Sequence, residues 1–275
     1  MAAPAGNEGG GANSCRQLPA VLFLLHLIIS ILLLGVSAEA AAAVSFRFTN
    51  ACAHPVWVGA LNGATSPPLS RSGFHLASGA TSALAVPSPW SGNFWARTGC
   101  ATDAATGRFS CATADCGSGE VACDGHGPSP PVTLAEITLA DRSSSSGSGL
   151  DFYDVSLVDG FNVPLSIAPS NGGGGCRSAA CAGDVNTVCP TDLRVLSGSS
   201  GGTVIACKSA CNAYGSARYC CSGDYGTPAA CGPTNYSRVF KTACPAAYSY
   251  AYDDASSTFT CSGAAAYQVT FCPAT

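Results

Sequence analysis

The chain has 275 residues, 12 basic against 16 acidic side chains and a net charge of −4, with 47% hydrophobic residues and 10% charged ones. With so few cations no basic stripe forms, which argues against nucleic acid as a partner and against stable association with an anionic membrane. Seventeen cysteines in a chain of this length shift attention to a covalent framework.

The first segment does not belong to the folded domain. Residues 1–14 are rich in Gly, Ala and Asn, Arg16 supplies one positive charge, and Leu18 to Val36 is almost wholly apolar, ending in Ser37-Ala38-Glu39-Ala40. That is the layout of a secretory signal, although the apolar run is also long enough for a membrane anchor. Cleavage between Ala38 and Ala43 removes residues 1–43 and leaves a mature protein of residues 44–275, enough for one sizeable core and short for two independent domains. Cys15 leaves with the signal, so sixteen cysteines remain, an even number behind a secretory leader. They imply an oxidising compartment and disulfides. Without a Cys-x-x-Cys pair, and with only His54, His75 and His126 in the mature chain, neither a metal nor another cofactor is expected.

From Val44 the pattern alternates, with Val44, Phe46 and Phe48 on one side and Ser45, Arg47 and Thr49 on the other, as in a half-buried strand. Strand-like runs recur at Pro55 to Leu61, Gly73 to Leu76, Thr81 to Val86 and Asn93 to Thr98, separated by Gly, Ser or Pro. Many short strands with almost no helical period predict a β-sandwich. Residues 100–131 carry small polar residues and four cysteines, too little to form a core without staples. Strand character returns at Val132 to Leu139, and the serine-rich run from Arg142 to Gly149 predicts a flexible surface loop. Gly172 to Gly175 marks a boundary. Residues 176–244 hold nine cysteines and two stretches with helical potential, Ala182 to Val188 and Val204 to Ala213. Tyr248 to Tyr252 and Tyr267 to Phe271 then alternate again and predict two returning strands.

The stretch with most chemistry is Asp151 to Val163, where Asp151, Asp154 and Asp159 interrupt an aromatic and β-branched run. Carboxylates there are expensive unless they meet water or partners. Asp154 and Asp159 are an odd number of residues apart, so on an unbroken strand they would face opposite ways. For both to reach one cleft the chain must turn between them, and Gly160 suits that turn. Two surface acids flanking a buried Val155/Leu157 pair is the competing reading.

Gly107-Arg-Phe-Ser-Cys111-Ala-Thr-Ala-Asp115-Cys116-Gly-Ser-Gly-Glu-Val-Ala-Cys123 resembles the signature of the thaumatin-like family, the plant pathogenesis-related defence proteins of group five. Trp95-Ala-Arg-Thr-Gly-Cys100, Pro130-Pro-Val-Thr-Leu-Ala-Glu136, Asp159-Gly-Phe-Asn-Val-Pro164, Tyr219-Cys-Cys221 and Val269-Thr-Phe-Cys-Pro273 carry the same likeness. The resemblance implies a flattened antiparallel β-sandwich (44–99, 132–175 and 245–275), a small stapled hairpin lobe (100–131) and a disulfide-rich lobe of loops and short helices (176–244). It also implies the pairs Cys52–Cys272, Cys100–Cys111, Cys116–Cys123, Cys176–Cys261, Cys181–Cys244, Cys189–Cys207, Cys211–Cys220 and Cys221–Cys231, a choice that spacing alone cannot make.

The same resemblance implies a cleft lined by acids at Glu136, Asp154, Asp159 and Asp253. Asn93 stands where the family usually has an arginine. Four carboxylates without a nearby cation raise the pKa of at least one of them. Phe161, Tyr248 and Tyr250 are candidate sugar-stacking rings, each with ordinary core packing as the alternative. The implied role is a secreted, monomeric, antifungal plant defence protein of the extracellular space (apoplast), with cell-wall β-1,3-glucan in its acidic cleft. Weak endo-β-1,3-glucanase activity, with Glu136 and Asp159 as acid and base or nucleophile, is one alternative. A protein ligand that inhibits microbial hydrolases is another. Thr275 is not followed by anything like a vacuolar extension, in keeping with an extracellular address. Asn235-Tyr236-Ser237 is an N-glycosylation sequon.

Overall fold

The computed structural model describes residues 43–142, 149–173, 175–198 and 201–274. The signal, its alternative reading as an anchor and the serine-rich loop at 143–148 lie outside them. No helix among the described residues is long and apolar enough to cross a membrane.

Among the described residues fifteen strands follow in chain order: β1 (Ala43–Asn50), β2 (Val56–Asn62), β3 (Gly73–Leu76), β4 (Thr81–Pro87), β5 (Trp90–Arg97), β6 (Ala101–Thr102), β7 (Phe109–Ser110), β8 (Leu134–Leu139), β9 (Leu150–Ser156), β10 (Leu165–Ser170), β11 (Ala179–Cys181), β12 (Arg194–Leu196), β13 (Val204–Cys207), β14 (Phe259–Ser262) and β15 (Ala266–Phe271). A five-stranded sheet runs β11-β10-β15-β1-β4 and a six-stranded sheet runs β14-β9-β8-β5-β2-β3. The sheets are antiparallel except for β1, which pairs parallel to β15. This brings the first and last strands together beside the Cys52–Cys272 bridge, which closes a loop of 220 residues and by the chain-entropy argument stabilises by about 5 kcal/mol.

The alternation in β1 does what period two requires: Val44, Phe46 and Phe48 are buried while Ser45 and Arg47 are exposed. Their rings meet the opposite sheet, with Phe94 5.2 Å from Phe46 and 5.0 Å from Phe48. At the other end of the core Tyr267 meets Tyr153 edge-on at 5.4 Å. These contacts across the layers make the sandwich.

The small lobe holds the β6/β7 hairpin and bridges Cys100–Cys111 and Cys116–Cys123. Its core is Trp95, Ala114, Cys116, Cys123, Val132 and Leu134, so it sits on the outer face of one end of the six-stranded sheet. The looped lobe is closed by Cys189–Cys207, Cys211–Cys220 and Cys221–Cys231 and tied back by Cys176–Cys261 and Cys181–Cys244.

Several local expectations need correction. Val204 to Ala213 is not one helix: Val204–Cys207 is β13, paired with β12, and helix α1 (Ala210–Tyr214) starts after Ser209, whose hydroxyl caps it. The short apolar run fitted either period, and strand pairing decided it. Ala182 to Val188 narrows to a 3-10 turn at Val185–Val188, capped by Asp184. After α2 (Ala217–Cys220) comes an unanticipated helix, α3 (Asn235–Ala243), opened by a capping box in which Thr234 and Ser237 each bond the other's backbone N–H. Tyr248 to Tyr252 is not a strand. Only Tyr248 bridges the sheet, to Ser156, before the chain enters helix α4 (Asp254–Ser257). The strand at this point is β14, further on. Finally, β11 lies beyond the glycine-rich boundary but hydrogen-bonds to β10, extending the five-stranded sheet.

Candidate ligand-binding cleft

The small lobe covers only part of the outer face of the six-stranded sheet. Beyond it, the register of β5, β8 and β9 sets Asn93 opposite Glu136 and Glu136 opposite Asp154. All three are partly exposed and point away from the sandwich core, because their neighbours Phe94, Ala135 and Val155 occupy the inward positions. A cross-strand row of two acids and an amide thus forms from residues that are distant in sequence.

Asp159 joins this row through a turn. β9 ends at Ser156, Gly160 donates its N–H to Leu157 O at 2.9 Å, and Gly160 takes φ +92°. A side chain there would be strained and its Cβ would lie 2.6 Å from Cys207 O. The turn is bolted on both flanks: Val132 N–H donates to Asp159 O, and Phe161 and Cys207 exchange both backbone hydrogen bonds. Asn162, fully engaged and buried, donates to Ala96 O and Thr113 Oγ1 and accepts from Thr133 N–H. Both lobes therefore fix where Asp159 stands.

The charges feel one another. Burial raises the Glu136 carboxyl, the charge of Asp159 raises it further, and a hydrogen bond from Asp154 opposes both. Asp154 is pushed up to about 8 by burial first, then by the charge of Glu136, by its hydrogen bond to Glu136 and by the charge of Asp254. The shared hydrogen bond favours the proton on Asp154, which donates to Glu136. Asn93, at the place where a cation would compensate the acids, brings no charge. Two buried oxygens of the row, Asn93 Oδ1 and Asp154 Oδ1, accept no hydrogen bond from any described residue.

The fourth expected acid, Asp253, already has partners within the fold. Asp253 is committed to structure: Oδ2 is 2.8 Å from Lys241 Nζ and accepts from the N–H and hydroxyl of Ser249. Lys241 in turn donates to Pro245 O, Ala247 O and the hydroxyls of Ser256 and Ser257, pinning the 245–257 segment. The adjacent Asp254 is the acid whose charge reaches Asp154. It accepts from Tyr248 Oη at 2.9 Å. Sequence reasoning missed it because two consecutive aspartates offer no spacing with which to choose.

The aromatic candidates also divide. Phe161 is 0% exposed and belongs to the sandwich core, so it cannot offer a face to a ligand. Tyr248 and Tyr250 are partly exposed. Burial and the nearby Asp254 and Asp154 hold the Tyr248 hydroxyl in its protonated form, up to about 12. Tyr250 lines a recess with Val158 and Ser249, beside the Asp159 turn.

Arg97 lies near the cleft in sequence but not in space. It is wholly buried and donates to Val58 O at 3.2 Å, Val121 O at 2.5 Å and Cys116 Sγ at 3.4 Å, which ties the small lobe to the sheet. Burial lowers its pKa to about 10, with Asp115 opposing. It serves the scaffold.

The profile of the Thaumatin family matches residues 50–273. The chain is 56% identical over 231 residues to "Thaumatin-like protein 1" of Prunus persica, covering 84% of this chain and 91% of that one. It is 54% identical over 233 residues to "Pathogenesis-related thaumatin-like protein 3.5" of Cryptomeria japonica, 85% and 91% of the two chains. A Prunus avium protein named "Glucan endo-1,3-beta-glucosidase" is 51% identical over 249 residues, 90% of this chain and 98% of its own.

Proposed function

The chain belongs to the thaumatin family, and we propose that it is a secreted, monomeric plant defence protein whose acidic cleft binds cell-wall β-1,3-glucan and so acts against fungi. The observation that carries this reading is the row Asn93–Glu136–Asp154, with its two buried acceptor oxygens that no described residue satisfies. Buried acceptors are stabilised by donors, and a polysaccharide presents hydroxyl donors at every ring. Tyr248 and Tyr250 add faces on which an apolar sugar surface can rest. Eight disulfides suit the extracellular space, where this partner is found.

Retention on insoluble β-1,3-glucan tests the reading. The wild type should be retained at pH 5–7, and Glu136→Gln and Asp154→Ala should each weaken retention about tenfold, as for the loss of a charged or buried hydrogen bond. No retention of the wild type at any pH would remove the proposal.

Hydrolysis of the same glucan is a second reading, favoured by one feature: Asp154, pushed up to about 8, shares a hydrogen bond with a second carboxyl, Glu136, and a proton-holding carboxyl beside a partner acid is what glycosidic bond cleavage uses. Glu136 and Asp159 were the expected pair, and the charge arrangement adds Asp154 as the group that carries the proton. The relative named for endo-1,3-β-glucosidase activity supports the substrate class. Reducing-sugar release from a soluble β-1,3-glucan separates catalysis from binding. Equal release by wild type and Glu136→Gln would exclude catalysis while leaving binding intact.

A further inference from the structure

The looped lobe carries a feature that the cleft does not use. Asn235 is exposed on the first turn of α3, in the sequence Asn235-Tyr236-Ser237. Beside it runs an open groove walled by Val188, Arg238, Val239 and Thr242, with Val188 52% exposed, so a bulky group on Asn235 has open space next to it. The hydroxyl of the sequon is in the opposite situation. Ser237 is buried, its Oγ accepts from Thr234 N–H at 2.8 Å and donates to Thr234 O at 3.1 Å, and its own N–H donates to Thr234 Oγ1 at 3.2 Å. The capping box that starts the helix is built from the residue that a glycan transferase must read.

We propose that Asn235 carries an N-linked glycan and that the glycan is added only before α3 forms. The step joins Asn235 Nδ2 to C1 of the first sugar. The bond from that C1 to the pyrophosphate of a lipid-linked oligosaccharide donor breaks, the amide gives up one proton and the lipid pyrophosphate leaves. In the folded chain the acceptor nitrogen is open to solvent but Ser237 Oγ is locked inside the cap, so the transferase finds half of its recognition element. In the unfolded chain both are free. Four residues upstream, Cys231 closes the bridge to Cys221, and downstream Cys244 closes the bridge to Cys181. Transfer therefore competes with disulfide formation in this lobe, and slower oxidation raises occupancy.

The inference rests on the secretory route of the proposed function, and the experiment separates the two. The full chain is expressed in a eukaryotic secretory host and its intact mass is measured before and after treatment with a peptide-N-glycosidase. The secreted protein should lose the mass of one oligosaccharide, and Asn235→Gln should lose nothing while still being secreted. In a second arm, chain made without glycan is offered to transferase-bearing microsomes together with the lipid-linked donor, once folded with its eight disulfides and once reduced and unfolded. Transfer should be at least tenfold greater to the unfolded chain. A chain that is secreted at the unmodified mass overturns the modification alone, and failure to be secreted at all overturns the secretory reading beneath it. Equal transfer to folded and unfolded chain overturns the order of events.

Discussion

Asp151 and Asp154 stand three residues apart on β9 and face opposite sides of the same sheet. Asp151 points into the sandwich and is 1% exposed, yet every demand of its charge is met: Arg142 Nη2 lies 2.5 Å from Oδ2, Tyr267 Oη donates to Oδ2 at 2.7 Å, and Ala140 N–H donates to Oδ1 at 2.9 Å. Arg142 is itself held by Ala264 O. Asp154 points outward, is less buried, and has for company two other acids and an amide. Burial alone therefore does not mark a functional carboxylate. The inward acid is satisfied by the fold and supports it; the outward acid is left with capacity that only a ligand or a proton can fill.

Removing the satisfied acid should do the most damage. Asp151→Ala strands Tyr267 in the core, leaves the partly exposed Arg142 without its carboxylate, and should cost about 3–5 kcal/mol, read as a lower denaturation midpoint. The outward acid should behave in the opposite sense. Folded Asp154 keeps its proton to about pH 8, whereas an unfolded aspartate loses it near pH 4. Between those values the folded state binds more protons, so this group makes stability fall as the pH rises. Asp154→Asn should therefore stabilise the protein by about 1–2 kcal/mol at pH 8 and by little at pH 4, a contrast that paired thermal melts would reveal.

A smaller change should come from restoring a cation to the row. Asn93→Arg should lower the Asp154 pKa by roughly one unit or more, followed by carboxyl NMR titration; an unchanged titration would show that the acids do not share a trough. Smallest of all is the contrast between neighbouring aspartates. Asp253→Asn should cost about 1 kcal/mol through loss of the Lys241 pair, with little effect on Asp154. Asp254→Asn should leave stability within about 0.5 kcal/mol of the wild type and let Asp154 ionise at lower pH.

How far the sequence could be read differs between these two settings as well. Alternation exposed the core face of β1, and Gly160 exposed the turn that carries Asp159, because both depend on local geometry. The family likeness led to Glu136, Asp154 and the place of Asn93. What stayed hidden depended on distant partners. Phe161 looked like a cleft aromatic, since nothing local indicates that the Cys207 backbone closes over it. Two consecutive aspartates do not reveal that Asp253 pairs with Lys241, twelve residues upstream, while the charge of Asp254 reaches Asp154. The helix at Asn235–Ala243 was overlooked in a region rich in Cys, Gly and Pro, although Thr234 and Ser237 spell out its cap.

The account turns on whether a ligand engages the outward face of β5, β8 and β9 and leaves the inward face alone. Titration of the isotopically labelled mature protein with a short β-1,3-gluco-oligosaccharide, followed residue by residue in NMR spectra, measures this directly. The expected result is a saturable set of shifts centred on Asn93, Glu136, Asp154, Asp159 and Tyr248, with Asp151 and Tyr267 unmoved. Saturation with shifts confined to another surface, or no shifts at millimolar oligosaccharide, would contradict it.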